Sequence, residues 1–150
     1  MRVDPATRTA IVGAKQRNGD VAASVAYGTD WDALQNEVRA KVEPGSKLYT
    51  GAHRAYKRLY AEYDDEYIDH PTAYVHGDVH TNGIENFWAL FKRGLGGTYV
   101  SVAPEHLNRY LDEQVFRFNK RTDDDSGRFV KVLAGTAEKR MTYKELTGKV

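Results

Sequence analysis

Asn18-Gly19 sits between two short apolar runs, and that arrangement restricts the fold more than any other stretch of the chain. The runs are TAIVGAK at residues 9–15 and VAASVAY at residues 21–27, joined by QRNGD. Asn and Gly both tolerate positive φ, which tight hairpin turns demand. An antiparallel β-pair is therefore expected, and the later segments must supply what packs on it.

The sequence after the hairpin changes period. TDWDALQNEVRAKV reads as a helix capped by Thr29 or Asp30, with Trp31, Leu34, Val38 and Val42 as its apolar stripe. EPGS at residues 43–46 stops it, and KLYT at 47–50 is a short strand. HRAYKRLYAEY has helical spacing, with Tyr56, Leu59, Tyr60 and Tyr63 on one side, and EYIDH at 66–70 reads as another strand. After the loop PTAYVHGDVHT comes NGIENFWALFKR, where Ile84, Phe87, Trp88 and Phe91 follow the i, i+3, i+4, i+7 rule of a buried stripe. Gly94, Gly96 and Gly97 are expected to end that helix. Pro104 opens the next helix, with Leu107, Tyr110, Leu111, Gln114 and Phe118 on one face. A polar break at 123–127 precedes the helical RFVKVLAG, and Thr142 and Glu145 have capping-box spacing for a last short helix. The order predicts an α/β fold, a mixed sheet with helices packed on it, in one domain over residues 1–150.

Composition narrows the class. A chain of 150 residues can bury roughly 70% of its unfolded surface, so a real core is possible. The chain has no cysteine, which excludes disulfides and thiolate metal sites. The opening MRVDPATRTAIVG has no apolar run long enough for a signal peptide or membrane span, and a bacterial-type cytoplasmic protein is expected. The net charge is only +1, but basic pairs recur at Lys57-Arg58, Lys92-Arg93, Lys120-Arg121 and Lys139-Arg140. Such pairs serve either as solvated helix faces or as local patches for nucleic acid.

Glu85 lies beside the aromatic stripe. At about 100° per residue, Asn82, Glu85, Ala89 and Lys92 form a second stripe bordering the apolar one. That position suits an active-site carboxylate and equally a plain surface glutamate. Two-metal chemistry on phosphodiesters requires several carboxylates from separate elements. A different metal reading uses His70, His76, Asp78 and His80, whose H-x-D-x-H spacing suits zinc but whose segment also reads as an ordinary loop. A nucleophilic triad lacks a G-x-S-x-G turn.

HGDVHTNGIENFWALFKRGLGGTY, followed by VSVAPEHLNRYLDEQVFRFNKR and MTYKELTG, closely resembles the ISXO2-like group of insertion-sequence DDE transposases. The match extends upstream through AIVGAKQRNGD and VEPGSKLYT, so it covers nearly the whole chain. The resemblance implies a ribonuclease-H-like catalytic core in which Asp, Asp and Glu hold two Mg²⁺. Water would cleave a strand at the element end, and the freed 3′-OH would attack target DNA. Glu85 matches the family's third acidic position. His80 and Asn82 match polar positions just before it, and Lys92 and Arg93 match basic positions that contact DNA.

The chain departs from that pattern twice. The family's second Asp stands in a T-D-x-x-x-A-Y context, and here the segment is TGAHRAY, with Gly51 at the Asp position. The first Asp belongs on a strand ahead of the hairpin, where only Asp4 is present, followed at once by Pro5. The expectation is an N-terminally truncated, degenerate core without its central first strand, holding no Mg²⁺ productively and inactive. An exposed sheet edge, dimerisation through it or marginal stability would follow. The alternative is a retained module that binds transposon ends or associates with an intact transposase, nucleoid-associated when on DNA.

Overall fold

The expected hairpin forms, with a wider turn than its Asn-Gly suggests. A computed structural model describes residues 9–51, 56, 59, 61–68, 81–99 and 102–147. Strands β1 (Ala10–Lys15) and β2 (Val21–Ala26) pair antiparallel from Ala10 opposite Ala26 to Lys15 opposite Val21. The connection is the five residues 16–20, closed by Gln16 N–H donating to the Asp20 carbonyl at 3.0 Å. Asn18 takes the positive φ, at 56°.

Alternation along the hairpin gives it two buried faces. Val21 and Val25 share one core with Phe87, Phe91, Leu111 and Phe118, and Ile11 and Ala23 pack against it. Val12 and Ala26 point the other way, into a second core with Val38, Leu59 and Tyr63. The first core belongs to α2 (Asn82–Arg93) and α3 (Leu107–Asn119), the second to α1 (Trp31–Arg39) and the segment around Leu59. Gly13 lets α2 come close, because a Cβ there would stand 2.7 Å from Trp88 Cζ2.

Helix α1 is capped by Asp30, whose carboxylate accepts from Ala33 N–H at 3.2 Å. Its stripe is rotated from the expected one. Trp31 is 44% exposed, and Gln35 is buried in its place. Gln35 tolerates burial because its amide oxygen accepts from Arg39 at 3.4 Å. Strand β3 (Lys47–Gly51) pairs parallel with β4 (Asp64–Ile68), Lys47 opposite Asp64 and Gly51 opposite Ile68. Strand β4 therefore starts two residues before the expected EYIDH. Arg39 ties α1 to the approach of β4 through two hydrogen bonds to the Glu62 carboxylate, at 2.7 and 2.8 Å. Of the helix expected over HRAYKRLYAEY only part is described, and there Leu59 and Tyr63 are buried. Tyr60 lies outside the described residues.

The described strands make two separate two-stranded sheets, one antiparallel and one parallel. Residues 1–8, where the question of a first strand falls, lie outside the described residues. After α2 the glycines do not break the helical path as expected. Gly94–Thr98 forms one wider π turn, closed by Tyr99 N–H donating to the Gly94 carbonyl at 3.1 Å. Pro104–His106 is a 3₁₀ turn leading into α3.

The chain divides into two units, residues 1–119 and 120–150. The second contains α4 (Asp125–Thr136) and α5 (Tyr143–Thr147). Asp124 caps α4 by accepting from Gly127 N–H at 2.7 Å. The expected capping box is present: Thr142 N–H donates to Glu145 at 2.7 Å, and Glu145 N–H donates to the Thr142 hydroxyl at 3.3 Å.

Candidate nucleic-acid interface

Helix α2 begins on an arrangement its sequence does not advertise. Thr81 occupies the cap position but makes no side-chain bond to the helix N–H groups. Its hydroxyl instead donates to Glu85 Oε1 at 2.7 Å. Thr81 is buried and Glu85 is exposed, so the carboxylate is held back against the start of the helix. An acid there is favoured by the helix dipole, as are Lys92 and Arg93 in the last turn.

The second stripe lies where the wheel placed it. Asn82, Glu85, Ala89 and Lys92 are all exposed, as is Arg93. Glu85 and Lys92 are two turns apart on one side, about 10 Å along the axis. His80 falls outside the described residues, as do His70, His76 and Asp78 of the zinc reading. Gly51 is the last residue of β3.

Two cations that sequence reasoning passed over reach these elements from the hairpin tip. Lys15, the last residue of β1, lies on the strand face that meets α2. Its stem runs past Gly83, where a Cβ would stand 2.8 Å from Lys15 Cδ and 3.0 Å from Cε. The ammonium donates to the Gln16 carbonyl at 3.0 Å and the Gly19 carbonyl at 3.2 Å. The Arg17 guanidinium stands 4.7 Å from the centroid of the Tyr49 ring on β3, and the Lys47 ammonium lies 5.6 Å from the same centroid. The signals that could have found Lys15 are its odd position in β1 and the glycine in TNGIE.

A profile of the ISXO2-like transposase domain matches residues 2–119. The chain belongs to that family. No curated protein and no solved structure matches it. The part of this transposase-family chain that the profile covers ends at Asn119, where its first compact unit also ends.

Transposases of the DDE class usually work with a divalent metal, and the described residues do not fit a two-ion site. Among them no group of three or more His, Cys, Asp or Glu could hold a metal ion. Glu85 brings one carboxylate, which accepts from the Thr81 hydroxyl, and position 51 brings none. The described residues of this transposase-family chain also include no helix long and apolar enough to cross a membrane.

Proposed function

We propose that this ISXO2-like domain is a transposition-derived DNA-binding domain that has lost strand cleavage and transfer. Glycine at position 51 carries the reading. It closes β3 in the sequence context where the family pattern places its second Asp, while Glu85 keeps its place on α2. The succession of hairpin, helix, parallel strand pair and Glu85 helix supports a ribonuclease-H-like core. Phosphoryl transfer in such a core depends on positioning and on neutralising charge. One carboxylate on α2 and a glycine at the end of β3 supply neither function, so no catalytic step runs through these two positions.

What the chain keeps is a surface for the phosphate backbone. Lys92 and Arg93 stand exposed on the helix that carries Glu85 and can donate to phosphate oxygens. Asn82, exposed in the first turn, offers an amide to sugar or phosphate. The DNA so bound is the end of a transposable element, alone or with an intact transposase. That partner places the chain in the cytoplasm, at the nucleoid.

Two assays test the reading. Nicking of supercoiled plasmid with Mg²⁺ or Mn²⁺ is expected to match that of Glu85→Ala. Native activity well above that variant would overturn the loss of catalysis. A fluorescent duplex is expected to bind at low salt and more weakly to the Lys92→Gln, Arg93→Gln double variant. An absence of binding by the native chain would remove the DNA-binding role.

A further inference from the structure

We propose that the hairpin tip, through Lys15 and Arg17, is a second DNA-backbone contact, one that joins the Glu85 helix to the strand ending in Gly51. The inference rests on the DNA-binding reading above and adds to it a surface outside the helix. Three observations carry it.

The first is placement. The tip touches both elements at once: Lys15 lies against the first turn of α2, and Arg17 lies over Tyr49 of β3. Tyr49 is two residues before Gly51, about 7 Å along the strand. Gly83 is two residues before Glu85, about 3 Å along the helix axis and on its other flank. The tip thus bridges the two elements that carry the family positions.

The second is how Lys15 is held. The missing side chain at Gly83 makes room for its stem, and the carbonyls of Gln16 and Gly19 take two of the three ammonium donors. That fixes a positive charge beside the helix start at little further entropic cost on binding.

The third is charge. Arg17 and Lys47 share the Tyr49 ring, so two like charges are gathered around one aromatic side chain close to Lys15. Acids also stand on these elements: Asp20 at the base of the turn, Asp64 opposite Lys47 and Glu66 opposite Tyr49 in the strand register. Asp20 and Asp64 are both exposed. A track of cations along one edge is the pattern that phosphate recognition uses.

The test is anisotropy of a fluorescent 30-base-pair duplex of random sequence, titrated with the full chain over a range of salt. Lys15→Gln is expected to lower the slope of log affinity against log salt by about 0.9. The same relation gives roughly eightfold weaker binding at 0.1 M salt. Lys15→Arg should stay near native, and Arg17→Gln should act like Lys15→Gln. Gly83→Ala keeps every charge but pushes the flexible Lys15 stem aside. It should weaken DNA binding while leaving thermal stability equal or higher, since alanine favours the helix. That pairing separates a DNA contact from a purely structural role. If Lys15→Gln and Arg17→Gln leave slope and affinity unchanged while the Lys92, Arg93 double variant weakens binding, the hairpin contact is wrong and the DNA-binding reading stands. If the native chain binds no duplex at low salt, both fall.

Discussion

Glu37 shows how single polar residues tie the hairpin to α1. The Ser24 hydroxyl on β2 donates to Glu37 Oε2, and the Lys41 ammonium reaches the same oxygen at 2.7 Å. The hydrogen bond from Lys41, then that from Ser24, holds the carboxyl below the ordinary glutamate range, while partial burial pushes the other way. A carboxyl whose folded value is depressed adds stability that is fully present above its unfolded value, about pH 4.3. That contribution is lost as pH falls through the lower folded value. Glu62, held low by Arg39, acts in the same direction, so the acid limb of stability is shared. Urea denaturation at pH 7 and at about pH 3.5 separates them: Glu37→Gln is expected to shrink the loss between the two pH values. An undiminished loss in that variant would assign acid sensitivity elsewhere. The Lys41 contact has i, i+4 spacing and can be read from the sequence, but the Ser24 contact cannot, because Ser24 and Glu37 meet only once β2 and α1 have packed. Asp30 is different: its cap acts on Ala33 three residues on, and local spacing alone finds it.

At the scale of elements, α3 solves a problem the hairpin creates. The outer edge of β2 faces no strand among the described residues, and an open edge invites pairing with another chain. Two asparagines of α3 cover it. The Asn119 side chain accepts from Val21 N–H at 2.8 Å and donates to the Val21 carbonyl at 2.9 Å. The Asn108 oxygen accepts from Val25 N–H at 3.3 Å. They stand eleven residues apart, three helical turns, and so share a face. Asn119→Ala removes two part-buried bonds and strands a backbone donor and acceptor. Its cost is expected at about 1–3 kcal/mol in urea unfolding. A change below about 0.5 kcal/mol, the range of an inert surface substitution, would show that water replaces the amide fully. The apolar stripe of α2 was legible because Phe87 and Phe91 follow helical periodicity and are both buried. The edge cover was not, since asparagine in a helix announces nothing about a strand far away in sequence. The glycines after α2 misled for a related reason. Glycine permits a helix to end, but nothing in its chemistry forbids one wider turn first.

For the whole molecule, the division at residue 120 separates two ways of being stable. The first unit has its own interior. Phe87 sits at the centre of one core, edge-on to Phe118 with ring centroids 5.4 Å apart and stacked with Phe91 at 6.3 Å. Leu59, Val38 and Tyr63 hold the other. Helices α4 and α5 contribute no buried residue, and local interactions describe them. These are the Asp124 cap, the Asp125–Arg128 and Asp123–Lys131 ion pairs and the Thr142–Glu145 box. Such contacts raise helix content but cannot replace a core. The cooperative unfolding transition should therefore belong to residues 1–119, the unit that also carries the family match. A chain ended after Arg121 is expected to keep a single transition. Its midpoint should lie within a few degrees of the intact chain's, followed by circular dichroism and by tryptophan fluorescence, since Trp31 and Trp88 both lie in the first unit. The lost signal at 222 nm should correspond to α4 and α5 alone. Should the shortened chain melt without cooperativity, the two cores would not be self-sufficient, and α4 and α5 would have to be counted among what holds them.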